Sequence, residues 1–138
     1  MNRTDLQLLA VTRVADAEVL LREGRWAGAY YLLGYAVECG LKACVARKFR
    51  QEEVPDKALV NDFYTHRSDK LLHISDIREA LDLRLTADAR FRVNWNNVRD
   101  WTENSRYDHL TTEETARDLF LAVTDPRTGV LSWLKAWW

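Results

Sequence analysis

The chain contains very few cysteines. Cys39 and Cys44 are the only two among 138 residues, and neither belongs to a Cys-x-x-Cys pair or a Cys/His cluster. This excludes the common structural zinc sites, whose ligands recur at short, fixed spacings. On a helix, two cysteines at this spacing point in different directions and cannot form an unstrained disulfide. Such cysteine usage fits a reducing compartment, and we expect a cytoplasmic protein.

Glycine, proline and long uncharged stretches are also scarce. Five glycines and two prolines are too few for an all-β protein, which needs many tight turns. No apolar run reaches the roughly 18 uncharged residues of a membrane span, so no contact with a membrane is expected. The first residues show no signal-peptide pattern.

Positive and negative charges are nearly balanced. Twenty Lys and Arg against 21 Asp and Glu give a net charge of −1, which argues against a strongly basic nucleic-acid binder and leaves room for a local basic patch. A content of 47% hydrophobic and 30% charged residues is typical of an ordered globular chain. The length predicts a single domain over residues 1–138.

The strongest periodic pattern covers residues 24–44. This run is apolar nearly all round, as expected of a helix that other helices surround. Ala29, Ala36 and Ala43 recur at heptad spacing and allow a second helix to approach closely. Glu38 and Lys42 form the only charged pair in its middle, in the favourable i,i+4 order.

Helical periodicity continues on both sides of this segment. Residues 4–23 predict a first helix that ends at Gly24 and is antiparallel to the second. Leu119 and Val130 are in phase, so we predict one long final helix kinked at Pro126. With two or three short helices between, the sequence predicts an all-α helical bundle.

Three tryptophans crowd the C-terminal segment. Trp133, Trp137 and Trp138 allow two interpretations. They cover the end of the bundle, or they form a subunit contact, since aromatic residues are enriched at interfaces.

The sequence AYYLLGYAVECGLKA at residues 29–43 resembles the second helix of HEPN domains. That helix typically reads Ala-Tyr-x-Leu-x-Gly-Tyr-Ala-Val-Glu-x-x-Leu-Lys-Ala, after a first helix that ends at glycine. Two later segments follow in the family's order. Residues 64–66, which precede a Lys-Leu-Leu run, resemble its Thr-His segment, and residues 106–107 resemble its Arg-Tyr pair.

The resemblance implies a HEPN-like up-down bundle of four to five helices, with short helices between the second and the last long helices. Members are usually dimeric, so a homodimer is expected. They occur in prokaryotic toxin–antitoxin and defence systems, often beside a minimal nucleotidyltransferase, which is therefore a possible partner along with RNA or a nucleotide. Many are metal-independent ribonucleases and others are non-catalytic binding or assembly modules, so neither a metal nor a cofactor is expected.

The catalytic members carry an Arg, four to six further residues and a His, and two protomers bring these motifs into one cleft. Histidine moves a proton to or from the reacting oxygens, and arginine neutralises charge on the phosphate. At the corresponding place here, only two residues separate Arg106 from His109. The family spacing occurs once, from Arg67 to His73, on a short helix where the two side chains would not share a face.

Without that motif, His66, Arg99 and Arg106 form an irregular catalytic candidate set. His66 is the best histidine by position in the family pattern. The alternative, which we prefer, is a structural His66 that caps the short helix or bonds a backbone carbonyl. His73, which lies among Leu71, Leu72 and Ile74, is expected to be half-buried and structural.

Arg106 and Tyr107 also have two interpretations. They hold a phosphate or a partner's carboxylate, or Arg106 pairs with Glu38 while Tyr107 packs on the second helix. We prefer the structural alternative, because a buried acid needs a partner. Glu38 would then be an internal anchor for the loop around Arg106.

Arg92, Asn96 and Arg99 form a polar stripe on one predicted helix. Such a stripe either follows a nucleic-acid backbone or is simply the solvated face of the helix. The sequence thus favours a dimeric HEPN-type binding, assembly or toxin component that acts with nucleic acid, nucleotide or a nucleotidyltransferase. A metal-independent ribonuclease and a helical scaffold without catalytic role are the alternatives.

Overall fold

A computed structural model of the chain describes residues 1–138 and contains helices but no β-strand. Eight α-helices and one 3-10 helix follow one another along the chain. Their bounds are α1 Arg3–Arg22, α2 Trp26–Ala46, α3 Lys57–Phe63, α4 Ser68–Ser75, α5 Arg78–Ala87, α6 Ala89–Arg99, the 3-10 helix Glu103–Tyr107, α7 Glu113–Thr124 and α8 Val130–Leu134.

The predicted all-α bundle is confirmed. Five helices, namely α1, α2, α5, α6 and α7, have ten or more residues. The short helices α3 and α4 lie between α2 and the later ones, as expected. None of the helices has both the length and the apolar character needed to cross a membrane.

Helix α1 packs along α2 as its antiparallel neighbour. It begins at Arg3, one residue before the predicted range, because Asn2 and Asp5 form a capping box. The Asp5 amide donates to Asn2 Oδ1 at 3.0 Å, and the Asn2 amide donates to Asp5 Oδ2 at 2.8 Å. At the other end, Gly24 has a φ of +71°, a conformation that favours glycine, and the chain reverses there.

Helix α2 lies at the centre of the bundle, as its sequence predicts. Twelve of its 21 residues are buried. It packs against α1, α4, α7, α8 and the 3-10 helix. One connected core joins buried residues from Ala10 in α1 to Leu134 in α8. Helices α5 and α6 join this core mainly through α4, α7 and α8 rather than by packing on α2.

The predicted single final helix with a kink at Pro126 is wrong. Helix α7 ends at Thr124, and a separate turn leads to α8. The Asp125 carboxylate accepts hydrogen bonds from the Arg127 and Thr128 amides at 2.9 and 2.8 Å, which holds the turn and lowers the pKa of Asp125. A side chain at Gly129 would meet backbone atoms of this turn, with the Asp125 oxygen 2.5 Å from a Cβ.

The C-terminal tryptophans support the interpretation that they cover the end of the bundle. Trp133 packs edge-on against Phe91, with ring centroids 5.6 Å apart, and Trp137 packs on Trp133 at 6.1 Å. All three C-terminal tryptophans are partly buried against the core. The guanidinium of Arg3 donates to the carbonyl of Trp138, which ties the two ends of the chain together.

The closest approach in the core is between Gly34 of α2 and the indole of Trp101. A Cβ at residue 34 would lie 2.1 to 2.2 Å from three carbon atoms of that ring. Trp101 is only 5% exposed and stacks on Tyr31, so the ring has little room to move. Glycine at position 34 therefore lets the segment after α6 pack directly on α2.

We predict that Gly34→Ala lowers the free energy of unfolding by about 2–3 kcal/mol, because it forces the indole out of place. Gly28→Ala is the matched control in the same helix, since its Cβ would meet only the tip of Leu20 at 3.2 Å. That variant should be close to neutral, because alanine is the better helix former. Urea unfolding measures both, and equal stability of the two variants would contradict the packing described here.

Candidate functional site

A cleft of about 630 Å³ opens between the α4–α5 region and α6. Its floor is apolar and formed by the buried side chains of Leu72, Leu81 and Trp95. The other lining side chains are mostly polar or charged. Those with nitrogen-bearing side chains are His66, Arg67, Arg78, Arg92, Asn96, Arg99 and Trp101.

Helix α6 supplies one wall of the cleft. Arg92, Asn96 and Arg99 lie on the same face, at steps of four and three, and all three are exposed and line the cleft. The opposite face is buried, and there the Asn94 amide donates to the carbonyl and hydroxyl of Thr128 at 2.9 and 3.1 Å. The stripe predicted from sequence thus lies along one wall of the cleft and is exposed there.

The first turn of α6 is held by its N-cap. The Asp88 carboxylate accepts a hydrogen bond from the Phe91 amide at 3.0 Å, and this bond holds the pKa of Asp88 below its usual value. Phe91 in turn is fully buried, so the start of the helix is fixed both by a cap and by the core.

His66 lies in the turn before α4, on the opposite side of the cleft. Its Nδ1 lies 3.0 and 3.1 Å from the two carboxylate oxygens of Glu38. Glu38 is only 2% exposed and also accepts a hydrogen bond from Lys42 Nζ at 2.8 Å. The Thr65 hydroxyl accepts from the Arg67 amide at 3.2 Å and stabilises the turn on which His66 is presented.

This contact determines which nitrogen of His66 is available for chemistry. A carboxylate can only accept a hydrogen bond, so Nδ1 of His66 carries the proton that faces Glu38. In the neutral ring, Nε2 then has a free lone pair. The His66 side chain is 49% exposed and lines the cleft, so a ligand bound there can reach the imidazole ring.

The cleft has an excess of positive charge. Four arginines line it against two carboxylates, those of Asp69 and Glu103. Asp69 is already occupied, because Arg67 donates to it at 2.8 Å and thereby lowers the pKa of its carboxyl group. Arg78 and Arg99 also lie beside carboxylates, with Asp82 at 3.4 Å and Asp100 at 3.9 Å. Arg92 has no such partner and donates only to the Leu85 carbonyl at 3.1 Å. Arg92 is therefore the cleft arginine best placed to bind an anion.

Arg106 and Tyr107 lie outside the cleft, and the predicted pairing of Arg106 with Glu38 is wrong. Arg106 is exposed and stacks over the ring of Tyr107 at 4.9 Å, while Tyr107 is itself 74% exposed rather than packed on α2. The physical reason is that Lys42, one turn along the same helix, and His66 already satisfy the Glu38 carboxylate. Glu38 is an internal anchor, as predicted, but it holds His66 and not the loop around Arg106.

The expectation for His73 is also wrong, since this residue is exposed. Helix α4 turns Leu71, Leu72 and Ser75 inward and leaves His73 on the solvent side. Arg67 at the start of the same helix lines the cleft and His73 does not, in agreement with the prediction that they do not share a face.

Sequence reasoning missed two features of this site. The sequence predicts that His66 caps the short helix or bonds a backbone carbonyl, whereas its ring contacts the carboxylate of Glu38. The two residues are 28 positions apart in the chain, so only the fold shows that they meet. Arg78 also lines the cleft and has no distinguishing pattern in the sequence.

No group of three or more His, Cys, Asp or Glu side chains is placed to hold a metal ion. Comparison of the chain with protein-family models, curated proteins and solved structures found no match. The assignment to HEPN domains thus stays a prediction from the motifs at residues 29–43, 64–66 and 106–107.

We predict that Glu38→Gln lowers the free energy of unfolding by about 3 kcal/mol. It leaves the ammonium of Lys42, whose side chain is 14% exposed, without a counter-charge in the core. His66→Ala removes a half-exposed ring and should cost less than about 1 kcal/mol. Urea denaturation of both variants tests this, and a larger loss for His66→Ala than for Glu38→Gln would show that the anchor has been misidentified.

Proposed function

We propose that this protein binds the phosphates of RNA or of a nucleotide in the cleft between α4, α5 and α6. One observation carries the proposal: His66 and Arg67, in the turn before α4, line the same concave site as Arg92 and Arg99 of α6. Arginine presents a planar fork of donors that matches phosphate oxygens. A volume of about 630 Å³ is within the range of sites that hold small ligands.

The wider setting of the proposal comes from the resemblance to HEPN domains. We propose a cytoplasmic, dimeric component of a prokaryotic toxin–antitoxin or defence system that works with a nucleotidyltransferase-type partner. The two unpaired cysteines are compatible with a reducing cytoplasm. The balanced net charge of −1 fits a protein that binds phosphate locally rather than one that coats nucleic acid.

The binding proposal predicts that Arg92→Ala and Arg99→Ala each weaken the affinity for a short single-stranded RNA about tenfold, because each removes a charge-assisted hydrogen bond. Each substitution should also reduce the slope of log affinity against log salt by about 0.7. Fluorescence anisotropy with a labelled oligonucleotide measures both quantities, and competition with ATP tests whether a nucleotide uses the same cleft.

Arg50→Ala is the matched control, because Arg50 is 77% exposed and lies outside the cleft. Arg106→Ala serves the same purpose for a residue that the sequence had suggested as a ligand contact. The proposal fails if the control substitutions weaken binding as much as those at Arg92 and Arg99, or if neither RNA nor ATP binds the intact protein.

Metal-independent RNA cleavage is a second candidate function, and the contact between Glu38 and His66 favours it. Nε2 of His66 would take the proton of a 2′-hydroxyl, whose oxygen attacks the adjacent phosphorus. The 5′-oxygen would leave and take a proton from water, which produces a 2′,3′-cyclic phosphate. Arg92 and Arg99 are near enough to stabilise the charge on phosphate, since they line the same cleft.

If the protein is a ribonuclease, His66→Gln should reduce the cleavage rate at least about 100-fold, because the glutamine cannot accept the proton. RNA binding should change little. Gel assays with EDTA present and with 2′-deoxy substrate as the negative control test this. Cleavage that persists in His66→Gln would contradict the role of His66, and the absence of cleavage in the intact protein would leave the binding function alone.

A further inference from the structure

A second pocket, of about 530 Å³, lies where α1 begins and α2 ends. The first turn of α1, the end of α2, the loop that follows it and α3 all contribute to its lining. Seven of its 11 lining residues are hydrophobic, and its volume is within the range of sites that hold small ligands. None of these residues lines the cleft that contains His66.

An aromatic wall forms one side of this pocket. Phe63 packs edge-on against Phe49, with ring centroids 5.7 Å apart, and against Tyr64 at 5.5 Å. The ammonium of Lys42 lies over the Phe63 ring, 5.8 Å from its centroid. Contacts within the chain therefore hold the wall in place, and a ligand that binds to it does not have to order these rings.

The protein covers the apolar groups around this pocket incompletely. Val60 and Phe63 of α3 line the pocket and are only partly buried, and no residue of α3 is fully buried. Tyr64 is 73% exposed. Leu6 of α1, which also lines the pocket, is 3% exposed, so the pocket reaches the core. A ligand with an apolar body would remove from water the apolar surface that α3 leaves exposed, which is favourable.

The charged side chains of the pocket are all positive. They are those of Arg3 and Arg47, and no carboxylate lines the pocket. Arg3 already donates to the carbonyl of Trp138, whereas Arg47 is exposed and pairs with no acid of the chain. The N-terminus of α1 and the C-terminus of α2 meet here, and their opposite dipoles offset one another. The two arginines therefore make the pocket attractive to an anion.

We propose that this pocket binds a small carboxylate with an apolar chain, such as a medium-chain fatty acid. The chain lies between the aromatic wall and Leu6, and the carboxylate is bound by Arg47. One guanidinium can donate to both oxygens of a carboxylate, whereas a phosphate has three oxygens and needs further donors. This proposal does not depend on the function proposed for the cleft.

Calorimetric titration with decanoate, kept below the concentration at which it forms micelles, tests the proposal. Decanoate should bind at least about tenfold more tightly than decanol, which has the same chain without the charge. Arg47→Gln should weaken the binding of decanoate about tenfold and leave that of decanol unchanged. Because Arg47 is exposed, this substitution should not disturb folding. Val60→Trp should weaken the binding of both compounds, since the larger side chain fills the pocket.

Arg22→Gln is the matched control, because Arg22 is exposed at the other end of α1. The proposal is overturned if decanoate does not bind, if decanol binds as tightly, or if Arg22→Gln weakens binding as much as Arg47→Gln. A folded Val60→Trp variant that binds decanoate as the intact protein does would also overturn it. Tighter binding of decyl phosphate than of decanoate would contradict the choice of a carboxylate.

RNA affinity separates this pocket from the cleft. Arg47→Gln should leave RNA affinity unchanged, and Arg92→Ala should leave decanoate binding unchanged. A protein that binds decanoate but no RNA would support this pocket and contradict only the function proposed for the cleft.

Discussion

The structure depends on one buried carboxylate. Glu38 lies in the middle of a helix that is otherwise apolar, where an unpaired negative charge would cost several kcal/mol. It is stabilised by the ammonium of Lys42 and by the ring of His66. The first partner lies on the same helix, but the second comes from the turn before α4. The contact between Glu38 and His66 thus joins α2 to the turn that forms one side of the cleft.

The core elements of the fold could be predicted because their signals are local. Apolar periodicity and Gly24 predict α1, α2 and their antiparallel packing, and the low glycine and proline content argues against an all-β protein. The break after α7 could not be found by the same reasoning, because the apolar phase from Leu119 to Val130 is the same with or without it. Side-chain bonds within the turn at Asp125 decide that point, and a helical pattern does not reveal them.

The candidate site was only partly predictable, for a related reason. The stripe of Arg92, Asn96 and Arg99 is a property of one helix, so the sequence contains it. That this stripe and His66 line one cleft depends on how the helices pack. The packing also decides that Glu38 contacts His66 and not Arg106. A buried acid in the sequence predicts that a partner exists, but the sequence does not identify that partner. The proposal of phosphate binding rests on this histidine, held by Glu38 opposite arginines.

The central claim is that Glu38 holds His66 in one tautomer, with Nε2 free for a ligand. Long-range ¹H–¹⁵N correlation spectra distinguish the two ring nitrogens of a neutral histidine directly. We expect the proton of neutral His66 on Nδ1 in the intact protein, and a mixture of tautomers in Glu38→Gln, which removes the carboxylate. A neutral ring protonated on Nε2 in the intact protein, or the same spectrum in both proteins, would contradict the account.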